Sequence, residues 1–215
     1  MHTEPTITHT SRPVIDRPTN PAGWWRTICP IEGTRLVISG DLPFGGPAFA
    51  EQLGRWVESG VSHVIDVRSE WNDCESVLQR EPGLVYHWVG TDDDGYGQPD
   101  EWFAAGVDAA LEALADPTSC TMVHCHMGVN RGPSMAFAIL LATGWDPIAA
   151  MEAIRRARPI AAVLYAVDAL EWWHRRAGTQ ACVVAEQRAA LSEWLERNPV
   201  DVGWVISRIR RAECG

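Results

Sequence analysis

Apolar and polar positions fall into short blocks that switch between a strand period and a helix period. TRLVISG (34–40) predicts a strand ending at a glycine, and HVIDVRS (63–69) and LVYHWV (84–89) predict two buried strands. CTMVHC (120–125) predicts a fourth, short one. Helical spacing runs through PAFAEQLGRWVESG (47–60), where Phe49, Leu53, Trp56 and Val57 share a face and Gly60 stops the run. It recurs in 101–116 through Trp102, Val107, Leu111 and Leu114. PSMAFAILLATG (133–144) is apolar almost all round, with Pro133 in its first turn, which predicts a buried helix. A helix over 146–159 has Asp146 as N-cap and Pro159 as terminator, and an amphipathic helix follows over 161–178. Residues 180–198 and 202–212 predict extra C-terminal helices. The segment 70–83 reads as a short helix or loop, and TDDDGYGQPDE (91–101) as a loop.

Strands alternating with helices predict an α/β fold. Its centre is a mostly parallel sheet of about four to five strands, flanked by helices and with 133–144 as the central one. The Thr- and Pro-rich residues 1–22 read as a flexible N-terminal arm, 23–178 as one domain and 179–215 as a helical extension.

Composition narrows the partners. The chain has 215 residues, 46% hydrophobic and 21% charged, as in ordinary globular proteins. Its net charge of -10 argues against nucleic acid or an anionic membrane as partner. All 18 basic residues are arginine. An anionic substrate must therefore be drawn by a local positive site. No secretory signal and no long apolar run are visible, and the six cysteines form no CxxC pair. A cytoplasmic protein with reduced thiols is expected, and the sequence does not fix its oligomeric state.

The candidate chemistry lies in HCHMGVNR (124–131), between a predicted strand and the central helix. A turn of N–H groups at a helix N-terminus attracts anions, and Arg131 adds a two-pronged contact. The same surroundings favour the thiolate of Cys125, and Gly128 allows a tight turn. HCH does not suggest a metal site, because a strand alternates its faces and no fourth ligand is suitably spaced.

His124-Cys125-x5-Arg131 matches the signature of the protein tyrosine phosphatases, and VHCHMGVNRGPS most resembles their dual-specificity branch. The resemblance spans roughly 34–176 and makes 23–178 a phosphatase domain. It implies hydrolysis of phosphotyrosine, phosphoserine or phosphothreonine through a phosphocysteine. Cys125 would be the nucleophile. His126, Met127, Gly128, Val129, Asn130 and Arg131 would hold the phosphate, and His124 and Ser134 would support the loop. An acid is needed for the leaving oxygen. It falls among Asp92, Asp93 and Asp94; spacing selects Asp93, with Asp94 the alternative. No metal or organic cofactor is implied. One departure is Gly132, where the family carries a hydroxyl that stabilises the departing thiolate. It opens an alternative, a catalytically weak phosphate-recognising module. The absence of bases from 126–130 points to a phosphoprotein over a phosphoinositide, with another non-protein phosphate ester as a further alternative. Arg155, Arg156 and Arg158 read as a solvated helix face, or else a rim that attracts phosphate.

Overall fold

The computed structural model describes residues 23–214, so the expected arm 1–22 lies outside the described residues. Five strands form one sheet in the order β1-β2-β5-β3-β4. They are β1 (Cys29–Pro30), β2 (Leu36–Ser39), β3 (His63–Arg68), β4 (Val85–Thr91) and β5 (Thr121–His124). The four longer strands run parallel, and β1 is antiparallel to β2. Eight α-helices surround the sheet: α1 (Gly46–Glu58), α2 (Cys74–Arg80), α3 (Asp100–Leu114), α4 (Arg131–Ala142), α5 (Pro147–Ala157), α6 (Ala166–Ala177), α7 (Ala181–Arg197) and α8 (Val202–Glu213). This is the α/β fold that the alternating pattern implies. No helix among the described residues is long and apolar enough to cross a membrane.

The central helix is α4. Every residue from Arg131 to Leu141 is buried. It packs on β2, β3 and β5 and against α3, α5 and α6. Its larger apolar side chains, Met135, Phe137, Ile139, Leu140 and Leu141, each contribute about 2 kcal/mol of burial. On the other face of the sheet, Phe49, Leu53 and Trp56 of α1 pack over Val64 and Met122. Register brings Ser39, Asp66 and His124 level with one another. The loops after β2, β3, β4 and β5 therefore meet at one edge, the carboxyl ends of the strands, where ligands bind in open α/β sheets.

Several local expectations are corrected. Val57 is 39% exposed, because only Phe49, Gln52, Leu53 and Trp56 of α1 turn inward. The central helix begins at Arg131, two residues early. The helix expected from 161 begins at Ala166. Val163 adopts φ 54, a left-handed conformation unusual for a β-branched residue, and so the helix cannot start there. The two-residue β1 has no sequence signal of its own. Asp146 caps α5 as expected, accepting from the N–H of Ile148 and of Ala149.

Candidate active site

The loop between β5 and α4 is built by satisfying its outer side. Five consecutive carbonyls are taken by protein donors. Asp41 N–H donates to His126 O at 2.9 Å and Ala162 N–H to Val129 O at 2.7 Å. Arg158 donates through Nη2 to Met127 O at 3.0 Å and through Nε to Gly128 O at 2.6 Å. Ser134 N–H donates to Asn130 O at 2.8 Å. In a trans peptide the C=O of one residue and the N–H of the next point oppositely. No peptide bond here is cis. The amides of residues 127–131 therefore face the concave side, and none donates to a protein acceptor among the described residues. Gly128 is required twice over. Its φ is +62, and an added Cβ would lie 2.4 Å from Arg158 Nη2 and 2.7 Å from Ser39 O.

Cys125 lies at the base of this nest, 2% exposed. Arg131 closes it from the first turn of α4. Its guanidinium is held by Glu70 through two bonds of 2.8 and 2.6 Å and donates to Thr91 O at 2.8 Å. Burial pushes the Glu70 carboxyl up, but the bonds from Arg131 outweigh it and hold the group below the usual carboxylate range. Arg131 Nε is buried without a hydrogen-bond partner among the described residues and lies 3.5 Å from Asp93 Oδ2.

The three aspartates after β4 separate. Asp93 Oδ1 accepts from Asn130 Nδ2 at 2.6 Å and from Tyr165 OH at 2.8 Å, beside the nest. Asp92 accepts from Ser69 OH at 2.6 Å, and Asp94 accepts from the N–H of Tyr96 within its own turn. Burial, then the bond to Asp93, pushes the Tyr165 phenol up to about 12.

Beneath the loop, the His124 ring is wholly buried beside Trp56, at 5.0 Å between centroids. Burial pushes its imidazole down to about 4, so it is neutral at pH 7. Its nearest carboxylate oxygen is Asp66 Oδ1 at 3.7 Å. Asp66 also accepts three bonds from Arg68, two from its guanidinium and one from its backbone N–H, and one from Tyr86 OH, and Arg68 reaches on to Asp73. Asp66 and Arg68 thus form a fully buried ion pair. His126 has its ring held by Asp41 at 2.7 Å and lies 3.4 Å from Glu213. Ser134 OH donates to Asn130 Oδ1 at 3.2 Å.

Sequence reading brought together Cys125, Arg131, Asn130 and Asp93, and the structure places them at one site. It missed Glu70, Tyr165 and the role of Arg158. Arg158 is 2% exposed, neither a solvated residue nor a rim. The surplus of arginines just before Pro159 was the available signal. Trp88 is 49% exposed, with its indole N–H donating to Arg68 O.

No family model matches the chain. A stretch of 101 residues is 30% identical to dual specificity protein phosphatase 13B of Mus musculus. It makes up 46% of this chain and 51% of that protein, so the chain spans about half the length of the curated relative it matches. A mouse putative dual specificity phosphatase crystallised with zinc tungstate superposes with a TM-score of 0.57 at 19% identity, over 74% of this chain and 92% of that one. PTPMT1 in complex with PI(5)P gives 0.55 at 22% identity, over 65% and 90%. Human DUSP28 gives 0.54 at 16% identity, over 69% and 93%. The fold is shared with these solved structures, and over the matched stretch the sequence is similar to that of a dual specificity phosphatase.

Proposed function

We propose that the chain is a cysteine-dependent phosphatase acting on phosphotyrosine, phosphoserine or phosphothreonine in proteins. The observation that carries this reading is the ring of inward amides at 127–131 above Cys125, with the unpartnered Nε of Arg131 beside it. Such an array binds the three equatorial oxygens of a phosphoryl group and stabilises the charge they carry in transfer. In this reading 23–178 is the phosphatase domain and 179–215 its helical extension.

The Cys125 thiolate attacks phosphorus in line. An S–P bond forms as the ester P–O bond breaks, and Asp93, protonated, gives its proton to the leaving oxygen. Water then attacks the phosphocysteine and yields a proton to the Asp93 carboxylate. The S–P bond breaks, releasing inorganic phosphate and restoring the thiolate. Asn130 and Tyr165 hold one oxygen of Asp93, leaving the other for proton transfer. Glu70 fixes the Arg131 fork. His124 and Ser134 support the loop from beneath. PTPMT1 was crystallised with a phosphoinositide. Residues 126–130 of this chain carry no lysine or arginine, which favours a phosphoprotein here.

The test is hydrolysis of p-nitrophenyl phosphate and of phosphopeptides. Cys125→Ser abolishes turnover and leaves the thermal unfolding curve in place. Asp93→Asn lowers kcat by about 10²–10⁴, most for substrates with poor leaving groups. Turnover retained in Cys125→Ser would refute the mechanism, and a comparable loss in Asp94→Asn in place of Asp93→Asn would move the acid.

A further inference from the structure

The C-terminal helix forms one wall of the cleft above Cys125. That cleft, of about 420 Å³, has Cys125 and Arg131 at its floor, Glu70, Asp93 and Asp94 on one side, and Val202, Ile206 and Arg210 of α8 on another. The three α8 residues stand four apart and so share one stripe of the helix. The neighbouring stripe anchors it. Val205 and Ile209 are fully buried in a cluster with Trp25, Ile160, Ala162 and Val129, and Val129 belongs to the nest itself. Asp201 caps the first turn by accepting from the N–H of Trp204 at 2.9 Å, and Glu213 in the last turn lies 3.4 Å from the His126 ring. Both ends of α8 are therefore fixed, and its 202–206–210 edge is held at the mouth of the site.

The chemistry of that edge is specific. Besides Arg131 and the Asp41-bound His126, Arg210 is the one basic side chain lining the cleft among the described residues. Arg210 is exposed and has no ion pair among the described residues. The rest of the mouth is apolar through Val202, Ile206 and Leu164, the last 57% exposed, or acidic through Asp94. A chain of net charge -10 that presents a single unpaired guanidinium beside its phosphate site is suited to a second anionic group on the substrate.

We propose that α8 is a specificity element and that Arg210 binds a carboxylate next to the phosphorylated residue, so that the preferred substrates are phosphopeptides with an adjacent Asp or Glu. The apolar stripe packs on the carbon skeleton between the two charges. An inositol polyphosphate fits less well, because its several vicinal phosphates would meet one cation and the carboxylates of Asp93 and Asp94. This rests on the phosphatase reading above and extends it to a substrate class.

The experiment compares the wild-type full chain with Arg210→Gln and Arg210→Glu. The substrates are p-nitrophenyl phosphate, a phosphotyrosine peptide flanked by glutamates, the same peptide with glutamines, and a soluble inositol bisphosphate. Wild type favours the glutamate over the glutamine peptide by about tenfold in kcat/KM, a preference that shrinks with added salt. Arg210→Gln brings the ratio close to one, and Arg210→Glu inverts it. A ratio equal in all three proteins would overturn the assignment of Arg210. A wild-type preference for the inositol bisphosphate, lost in Arg210→Glu, would overturn the peptide class. Failure of the wild type on every substrate would instead overturn the phosphatase reading.

Discussion

Gly132 follows Arg131 at the position where the signature it resembles carries a hydroxyl, and the structure shows what surrounds that position. A Cβ built there would stand 3.5 Å from Cys125 Sγ and 3.3 Å from Cys125 N, which a shift of a few tenths of an ångström accommodates. Ser134 does not fill the gap, since its hydroxyl is spent on Asn130 Oδ1 and on the N–H of Tyr165. Under the proposed mechanism the departing thiolate has no hydroxyl donor from this position, so breakdown of the phosphocysteine limits turnover. Gly132→Ser is then expected to raise kcat by about tenfold, the effect of one hydrogen bond to a charged group, and to shrink the pre-steady-state burst of p-nitrophenol. A variant with the same kcat and the same burst would show that hydrolysis of the intermediate is not the slow step. Gly132 was readable from the motif alone. Glu70 was not, because its bond to Arg131 joins residues 61 positions apart and only the fold brings them together.

At the scale of elements, the nest is held by the end of α5 and the segment after it. Arg158 ties Met127 O and Gly128 O to Trp25 O. Ala162 N–H and Leu164 N–H, on either side of the strained Val163, bond Val129 O and Asn130 Oδ1. Arg158→Met keeps much of the side-chain length and removes every donor, leaving buried carbonyls unpaired. The expected cost is about 2–4 kcal/mol in urea unfolding, with about tenfold weaker inhibition by inorganic phosphate well below the melting temperature. Undisturbed phosphate inhibition would mean that Arg158 serves the fold only. Periodicity made the sheet order's raw material and all the larger helices legible, and Asp146 gave the start of α5. It misplaced the starts of α4 and α6 because both boundaries are set by bonds to the nest. No local pattern distinguishes those bonds from helix continuation.

For the whole molecule, the amphipathic period of 202–212 announced a helix but not the surface it covers, since Val205 and Ile209 meet Trp25 and Val129 only through the tertiary fold. The same folding buries His124, and that burial links the stability of the entire domain to pH. Its ring is packed on Trp56, with Asp66, Arg68 and Asp41 as the charged groups around it. Burial lowers its pKa from 6.5 to about 4, so between these values the unfolded chain binds a proton that the native state refuses. Stability is therefore full above about pH 6.5 and falls as the pH drops toward 4, by about 3 kcal/mol at about 1.4 kcal/mol for each pH unit. Asp66 acts in a different window. Burial raises it, but His124, charged only once the pH falls to about 4, and the bonds from Arg68 hold it below its ordinary value, so its contribution is lost only at still lower pH. His63 and His174, also lowered by burial, titrate in both wild type and a His124→Gln variant and cancel in the comparison. Urea unfolding at pH 7, 6, 5 and 4 is expected to give a steeper acid slope in wild type than in His124→Gln. Equal slopes would mean that the native state admits the proton, and with it a charge directly beneath the loop that holds Cys125.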